Sequence, residues 1–337
     1  MEVSYIKNEI QDKYLLEIES IEKVKNSYKI STKGEDYGIK VIKYQKPHFY
    51  FIFSAINHLI NRGFNKIPEI IKTKDNEGYI RLGNNYAYLN KWIEARNSNY
   101  DDIDDLRIVS RTLAELHNCS EGFTLDKDMK PRIAWFSWIK VFDTRCEEIL
   151  DFRKRIYQKS YKSDFDKIYL AEIDKEIDRG KKAIESLLSN NYFEVMEKKV
   201  FKRGFCHHDF AHHNVLINSK GEANIIDFDY CILDSNIHDV ASLLIRTMKD
   251  GKWNRNKAEY IIDNYSECKY ISKEEFKLMK GFIMFPQGFW QIGLQYYWEQ
   301  QPWGEEFLIN KLNKYLRDRE EREDFLEDFF NEGWGYG

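Results

Sequence analysis

Two hydrophobic rhythms run through the first ninety residues. Leu15 to Lys25, Ser27 to Thr32 and Tyr37 to Tyr44 are short runs rich in β-branched and aromatic residues. Polar clusters such as Lys33-Gly34-Glu35-Asp36 separate them, so together they predict a β-meander behind a short N-terminal helix. Phe49 to Arg62 repeats apolar residues at helical spacing (Phe49, Phe53, Ile56, Leu59, Ile60) and stops at Gly63, which predicts one helix after the third strand. Glu77 to Leu82 and Tyr86 to Ile93 predict two more strands, with Gly83-Asn84-Asn85 as the turn.

From Asp101 the pattern becomes helical. Ile103 to Leu116, Trp135 to Arg153, Ser163 to Leu188, Val240 to Met248 and Lys273 to Tyr297 all place apolar residues on one face. The exception is Phe201 to Phe228, where Asn214 to Ile217 and Ala223 to Phe228 flank the hairpin turn Asn218-Ser219-Lys220-Gly221. The reading is α+β, with a sheet-plus-helix part over residues 1–93 and a mainly helical part over 94–337. The polar segment Glu94 to Asp101 is the expected boundary.

Composition narrows the classes. A chain of 337 residues with 42% hydrophobic content can bury a sizeable core, and a net charge of −4 offers no global field toward nucleic acid or an anionic membrane. The five cysteines (Cys119, Cys146, Cys206, Cys231, Cys268) are scattered and never form a CxxC pair, which argues against a disulfide framework and for a reducing compartment. The N-terminal MEVSYIKNEIQDKY lacks the apolar stretch of a signal peptide, and no run approaches membrane-spanning length. The expected setting is cytoplasmic.

Chemistry concentrates around the hairpin. His207-His208-Asp209-Phe210-Ala211-His212-His213-Asn214 sets a carboxylate five residues before an amide, and Ile226-Asp227-Phe228-Asp229 sets two carboxylates at the end of the following strand. Phosphoryl transfer needs a carboxylate to orient the attacking hydroxyl and hard oxygen ligands to hold Mg²⁺ on the phosphates. Asp209 suits the first task, Asn214 and Asp227 the second. Asp229 could join the metal, contact substrate or cap the strand end. Singly these are ordinary turn formers; the spacing gives them joint meaning. The four histidines 207, 208, 212 and 213 raise a rival, a zinc hydrolase, although that reading gives the hairpin no purpose.

The H-x-D-x-x-x-x-N loop followed by a hairpin and I-D-F-D resembles the catalytic and metal loops of aminoglycoside and choline kinases, which share the protein-kinase-like fold. Tyr37-Gly38-Ile39-Lys40, Tyr88-Leu89-Asn90-Lys91-Trp92-Ile93-Glu94, Leu113-Ala114-Glu115-Leu116-His117, Asp239-Val240-Ala241 and Phe285-Pro286-Gln287-Gly288-Phe289-Trp290 narrow the likeness to the CotS-related spore coat family. The resemblance implies a bilobal kinase-like fold that uses ATP and Mg²⁺ to phosphorylate a hydroxyl of a small molecule. It makes Asp209 the catalytic aspartate and His207 its supporting histidine. Asn214 and Asp227 become metal ligands, beside which Asp229 is a further metal candidate, and Lys40 becomes the lysine that meets the phosphates. Lys91, Trp92 and Ile93 become the adenine hinge, and Asp239 a brace for the catalytic loop. It further implies incorporation into the spore coat and other coat proteins as partners.

Three departures stand out. No Asp or Glu lies between Lys40 and Gly63, so the helix after the third strand cannot supply the lysine's usual partner. The turn Val24-Lys25-Asn26-Ser27-Tyr28 has no glycine for close approach to phosphate. Position 208 is His rather than the Arg of protein kinases, and the short stretch from Asp229 to Asp239 leaves little room for a long activation segment. The first two departures keep open a catalytically weak or inactive scaffold of the spore coat. Elsewhere the plainer readings hold: Trp290 and Tyr296 as core aromatics, Glu197 to Arg203 as a solvated approach to a strand, and Glu320 to Asp328 as an amphipathic helix docked on its own chain.

Overall fold

The structure is a computed structural model that describes residues 2–25 and 27–331. The chain forms two compact units, Met1–Arg132 with His207–Ile232, and Ile133–Cys206 with Leu233–Gly337.

The first unit is built on an antiparallel sheet. Strands β1 (Ile18–Val24), β2 (Ser27–Thr32) and β3 (Asp36–Ile42) form the meander. β4 (Ile70–Ile71), β5 (Ile80–Leu82) and β6 (Asn85–Lys91) complete it in the order β1-β2-β3-β6-β4, with β5 also on β6. Helix α1 (Val3–Tyr14) closes one face by burying Ile6, Ile10 and Tyr14 among Ile30, Ile39, Leu82 and Leu89. Helix α2 (Lys46–Asn61) carries Pro47 in its first turn, where the fixed φ is well suited, and ends before Gly63 at φ +85°. Register fixes the functional edge: Lys40 on β3 lies opposite Tyr88 on β6, and Tyr37 opposite Lys91.

A second, three-stranded sheet sits in the same unit. β7 (Ala95–Asn97) pairs with β8 (Val215–Asn218), which pairs with β9 (Ala223–Ile225). The hairpin turn forms as expected: Asn218 Oδ1 accepts from the N–H groups of Lys220 and Glu222, and Gly221 takes φ +76°. The 94–101 stretch, read from its polarity as a connector, instead contributes strand β7. Alternation over three residues is too short to register as a strand. Helix α3 (Ile103–Ser120) is capped by Asp102, which accepts from the N–H groups of Asp104 and Asp105.

The second unit is helical, with α4 (Trp138–Gln158), α5 (Asp164–Ser189), α6 (Tyr192–Lys202), α7 (Ile237–Met248), α8 (Arg255–Ser266), α9 (Lys273–Met284), α10 (Gln287–Tyr297) and α11 (Glu305–Asn331). Two expectations need correction. The periodicity from Lys273 to Tyr297 is two helices, broken at Phe285-Pro286 because proline cannot supply the amide that a continuing helix needs. The basic stretch Glu197 to Arg203 is the end of helix α6 rather than an approach to a strand. Its Lys199 is buried, donating to Asn236 Oδ1 at 2.6 Å and pairing with Glu275. Helix α8 was not legible, since its polar residues blur the apolar face.

Packing in this unit is close. Gly293 on α10 lets Phe152 and Tyr169 approach so tightly that an added Cβ would sit 2.2 Å from the Tyr169 hydroxyl and 2.7 Å from Phe152. Tyr296 stacks on Phe165 at 4.0 Å and shares a hydrogen bond with Ser163, which matches the core reading. Trp290 donates to Glu148 at 2.5 Å and carries the Arg145 guanidinium 4.3 Å from its ring centre.

Candidate active site

Every residue the sequence proposed for catalysis, nucleotide or metal lies in the first unit. The loop 207–214 is shaped by its own backbone: Ala211 N–H donates to Asp209 O at 2.8 Å and Asn214 N–H to Ala211 O at 2.8 Å. His208 holds φ +68°, a left-handed conformation rare for a residue with a side chain. Tyr100 clamps the loop from outside by donating its hydroxyl to Phe210 O at 3.1 Å.

Asn214 ties the loop to Asp209. Its Nδ2 donates to the Asp209 backbone carbonyl at 2.9 Å and to Asp209 Oδ2 at 3.0 Å. A carbonyl oxygen can only accept, so this pairing fixes the amide orientation and leaves Asn214 Oδ1 as the oxygen available to a ligand. His207 is fully buried and donates from Nε2 to the Ile226 carbonyl at 3.0 Å. Together with Ile226 N–H to Asn214 O at 3.0 Å, that bond fastens the loop to the segment carrying Asp227.

Asp227 itself adopts φ +66°, ψ +63°. Aspartate tolerates this left-handed turn better than most residues, and the turn ends strand β9 abruptly before a short 3₁₀ segment. Asp227 Oδ1 is 2.8 Å from Lys40 Nζ, and Asp229 Oδ2 is 3.1 Å from the same nitrogen. Lys40 therefore has carboxylate partners. They come from the hairpin, 187 residues along the chain from Lys40 for Asp227, and not from α2, which has none to give.

The electrostatics follow from burial and these charges. Burial works against the Lys40 ammonium, but Asp229 and Asp227 outweigh it and raise its pKa above the usual lysine value. Burial also pushes the Asp229 carboxyl upward, opposed by Lys40 and reinforced by the like charge of Asp227. Lys40 answers both acids, and Arg132 adds a second positive charge near Asp229.

Beside this cluster lies a cavity of about 520 Å³. Gly38, Lys40, Tyr88 and residues 90–93 line one side, with Asn214, Ile225 and Asp227 on the hairpin side. Of the proposed hinge residues, Lys91 has both main-chain groups engaged, its N–H with Glu69 O at 3.0 Å and its carbonyl with Asn90 Nδ2 at 2.8 Å. Trp92 N–H donates to Asp36 O at 2.9 Å. Ile93 lines the same cavity. Val24, Lys25 and Ser27 of the glycine-free turn also reach it, and Lys25 takes φ +53° without being glycine; Asn26 of that turn lies outside the described residues.

The family model described as "Spore coat putative kinase YutH" matches residues 7–329. The chain belongs to this spore coat kinase family. Spore coat protein S of Bacillus subtilis strain 168 is 26% identical over 312 residues, spanning 90% of this chain and 87% of that protein. Among solved structures, an aminoglycoside phosphotransferase from Alicyclobacillus acidocaldarius superposes with a TM-score of 0.83 at 21% identity, covering 95% of this chain and 93% of that one. A spectinomycin phosphotransferase, solved with ADP and spectinomycin, gives 0.65 at 14% identity over 96% and 98% of the two chains. This member of the spore coat kinase family thus has the protein-kinase-like fold. Among its described residues no helix is long and apolar enough to cross a membrane.

Two features escaped the sequence. Arg132 carries no motif, yet its guanidinium lies 5.2 Å from the ring centres of both Tyr44 and Tyr230 and holds the turn bearing Asp229. The pairing of Lys40 with the hairpin acids was equally hidden, because nothing in local spacing announces a contact across so long a stretch of chain.

Proposed function

We propose that this spore coat kinase transfers the γ-phosphate of ATP to a hydroxyl of a small molecule. The observation that carries the reading is the Lys40 ammonium held 2.8 Å from Asp227 beside a cavity that also presents Asn214 and the 90–93 segment. Lys40 is poised for phosphate oxygens, and Ile93 lines the cavity beside Lys91 and Trp92, whose N–H groups are engaged, where it would meet the adenine edge. The oxygen of Asn214 and the carboxylate of Asp227 are hard ligands suited to Mg²⁺, and a cation already sits against Asp227. Bound there, Mg²⁺ would neutralise charge on the phosphates.

Asp209 is the residue that orients the acceptor hydroxyl and receives its proton. Asn214 keeps that carboxylate aimed by donating to its Oδ2, and His207 fixes the loop against Asp227 without touching substrate. Preorganisation of this kind is what phosphoryl transfer asks of a protein. Membership of the spore coat family supports a setting in the spore coat, with other coat proteins as neighbours.

Turnover of Mg·ATP against a panel of hydroxylated metabolites tests the reading. Asp209→Asn should abolish transfer while nucleotide binding persists. Loss of both, or of neither, would show the roles to be misassigned, and a thermal shift with nucleotide but no turnover by wild type would point to a scaffold instead.

A further inference from the structure

Lys40 is held by two carboxylates that stand in different places. Asp227 lines the cavity, turned there by its left-handed backbone, with its side chain 31% exposed. Asp229 is 21% exposed and belongs to a turn pinned from behind: Arg132 Nη1 donates to the Asp229 carbonyl at 3.5 Å, and its Nη2 donates to the Tyr44 hydroxyl at 2.9 Å. Tyr44 follows Lys40 by four residues, just beyond the end of β3. The strand bearing the lysine and the turn bearing Asp229 are therefore clipped together by one guanidinium that also faces Tyr44 and Tyr230.

We propose that Asp229 is a positioning residue for Lys40 rather than a metal ligand. It supplies the anchoring carboxylate that α2, free of Asp and Glu, cannot. The inference rests on the nucleotide reading above. An ammonium has three N–H groups. One stays with Asp229, and the one now shared with Asp227 is released to a phosphate oxygen when Asp227 turns to the metal. The lysine thus keeps a fixed anchor through binding while its second partner changes. A lysine without such an anchor would lose side-chain order each time the site empties.

Calorimetric titration of ADP, once in EDTA and once in Mg²⁺, separates the roles. Asp229→Asn should weaken ADP roughly tenfold in EDTA and by the same factor in Mg²⁺, since a charged hydrogen bond that orders the lysine is lost in both. Asp229→Glu should regain most of the affinity. Asp227→Asn should keep the EDTA affinity and lose the gain that Mg²⁺ confers. Unchanged or tighter ADP binding by Asp229→Asn in EDTA, with loss of the Mg²⁺ gain, would make Asp229 a metal ligand and overturn the inference. If Asp229→Asn does not fold, the same titrations on Lys40→Met and Lys40→Met/Asp229→Asn decide. Equal affinities with the Mg²⁺ gain intact support the anchor role, and loss of that gain on adding Asp229→Asn refutes it. Wild type that binds no ADP in either buffer would overturn the nucleotide reading and this inference with it.

Discussion

Replacing Lys40 with Met removes the one cation that two neighbouring carboxylates share. The lysine side chain is 10% exposed, and its partners Asp227 and Asp229 are 31% and 21% exposed. Breaking a fully buried pair costs about 3–5 kcal/mol. Partial access of both acids to water reduces this to roughly 1–3 kcal/mol. For a unit of this size about 2–4 °C of Tm goes with each kcal/mol, so Tm should fall by roughly 2–12 °C. The sharper signature is ionic. In wild type, Lys40 already occupies Asp227, so Mg²⁺ alone should raise Tm little. In Lys40→Met the vacated Asp227 should take the metal, and millimolar Mg²⁺ should recover much of the loss by mass action. Differential scanning fluorimetry across a Mg²⁺ series reads both effects. Equal Mg²⁺ responses in the two proteins, or a variant as stable as wild type in EDTA, would refute the shared-cation picture.

Other predictions concern the helical unit. Burial raises the Asp234 carboxyl from 3.8 to about 6, although it accepts from Trp138 Nε1 at 2.9 Å and Ser235 N–H at 2.7 Å. A raised pKa stabilises the fold below the unfolded value and loses that contribution as pH climbs through 6, roughly 3 kcal/mol in all. Asp234→Asn should therefore gain Tm relative to wild type on moving from pH 4.5 to 7.5, read by thermal melts at both; a pH-independent difference would contradict it. Gly293→Ala should cost about 1–3 kcal/mol in denaturant unfolding, because the new methyl has no room beside Tyr169 and Phe152. Glu176 is fully buried and takes hydrogen bonds from Tyr315 at 2.7 Å, Arg319 at 3.0 Å and Arg179 at 3.3 Å. Glu176→Ala should lose about 3–5 kcal/mol. Glu323→Ala, removing a half-exposed partner of Arg179, should lose less than about 1 kcal/mol by the same unfolding assay.

Much of the fold was legible because strong local signals coincide with tertiary demands. The strands around Lys40 and Tyr88 alternate cleanly, α2 is stopped by Gly63, and the Asn218–Gly221 turn contains its own side-chain hydrogen bonds. Helix α8 and the break at Pro286 were missed for opposite reasons, one too polar to show a face and the other apolar on both sides of the proline. Motif spacing pointed to Asn214 and Asp227 and the family resemblance added Lys40; all three line one cavity. The lysine's acidic partners were not legible, because pairing over so great a chain separation is decided by sheet register and by Arg132, and neither leaves a periodic trace.

The most direct measurement is a crystal structure with a non-hydrolysable ATP analogue and Mn²⁺, with the metal located by its anomalous signal. The anomalous peak should lie on Asn214 Oδ1 and Asp227, with adenine against Ile93, Lys40 on a phosphate oxygen and Asp229 still on Lys40. A metal on the histidines of the 207–213 loop, or a nucleotide bound away from residues 88–93, would contradict the assignment.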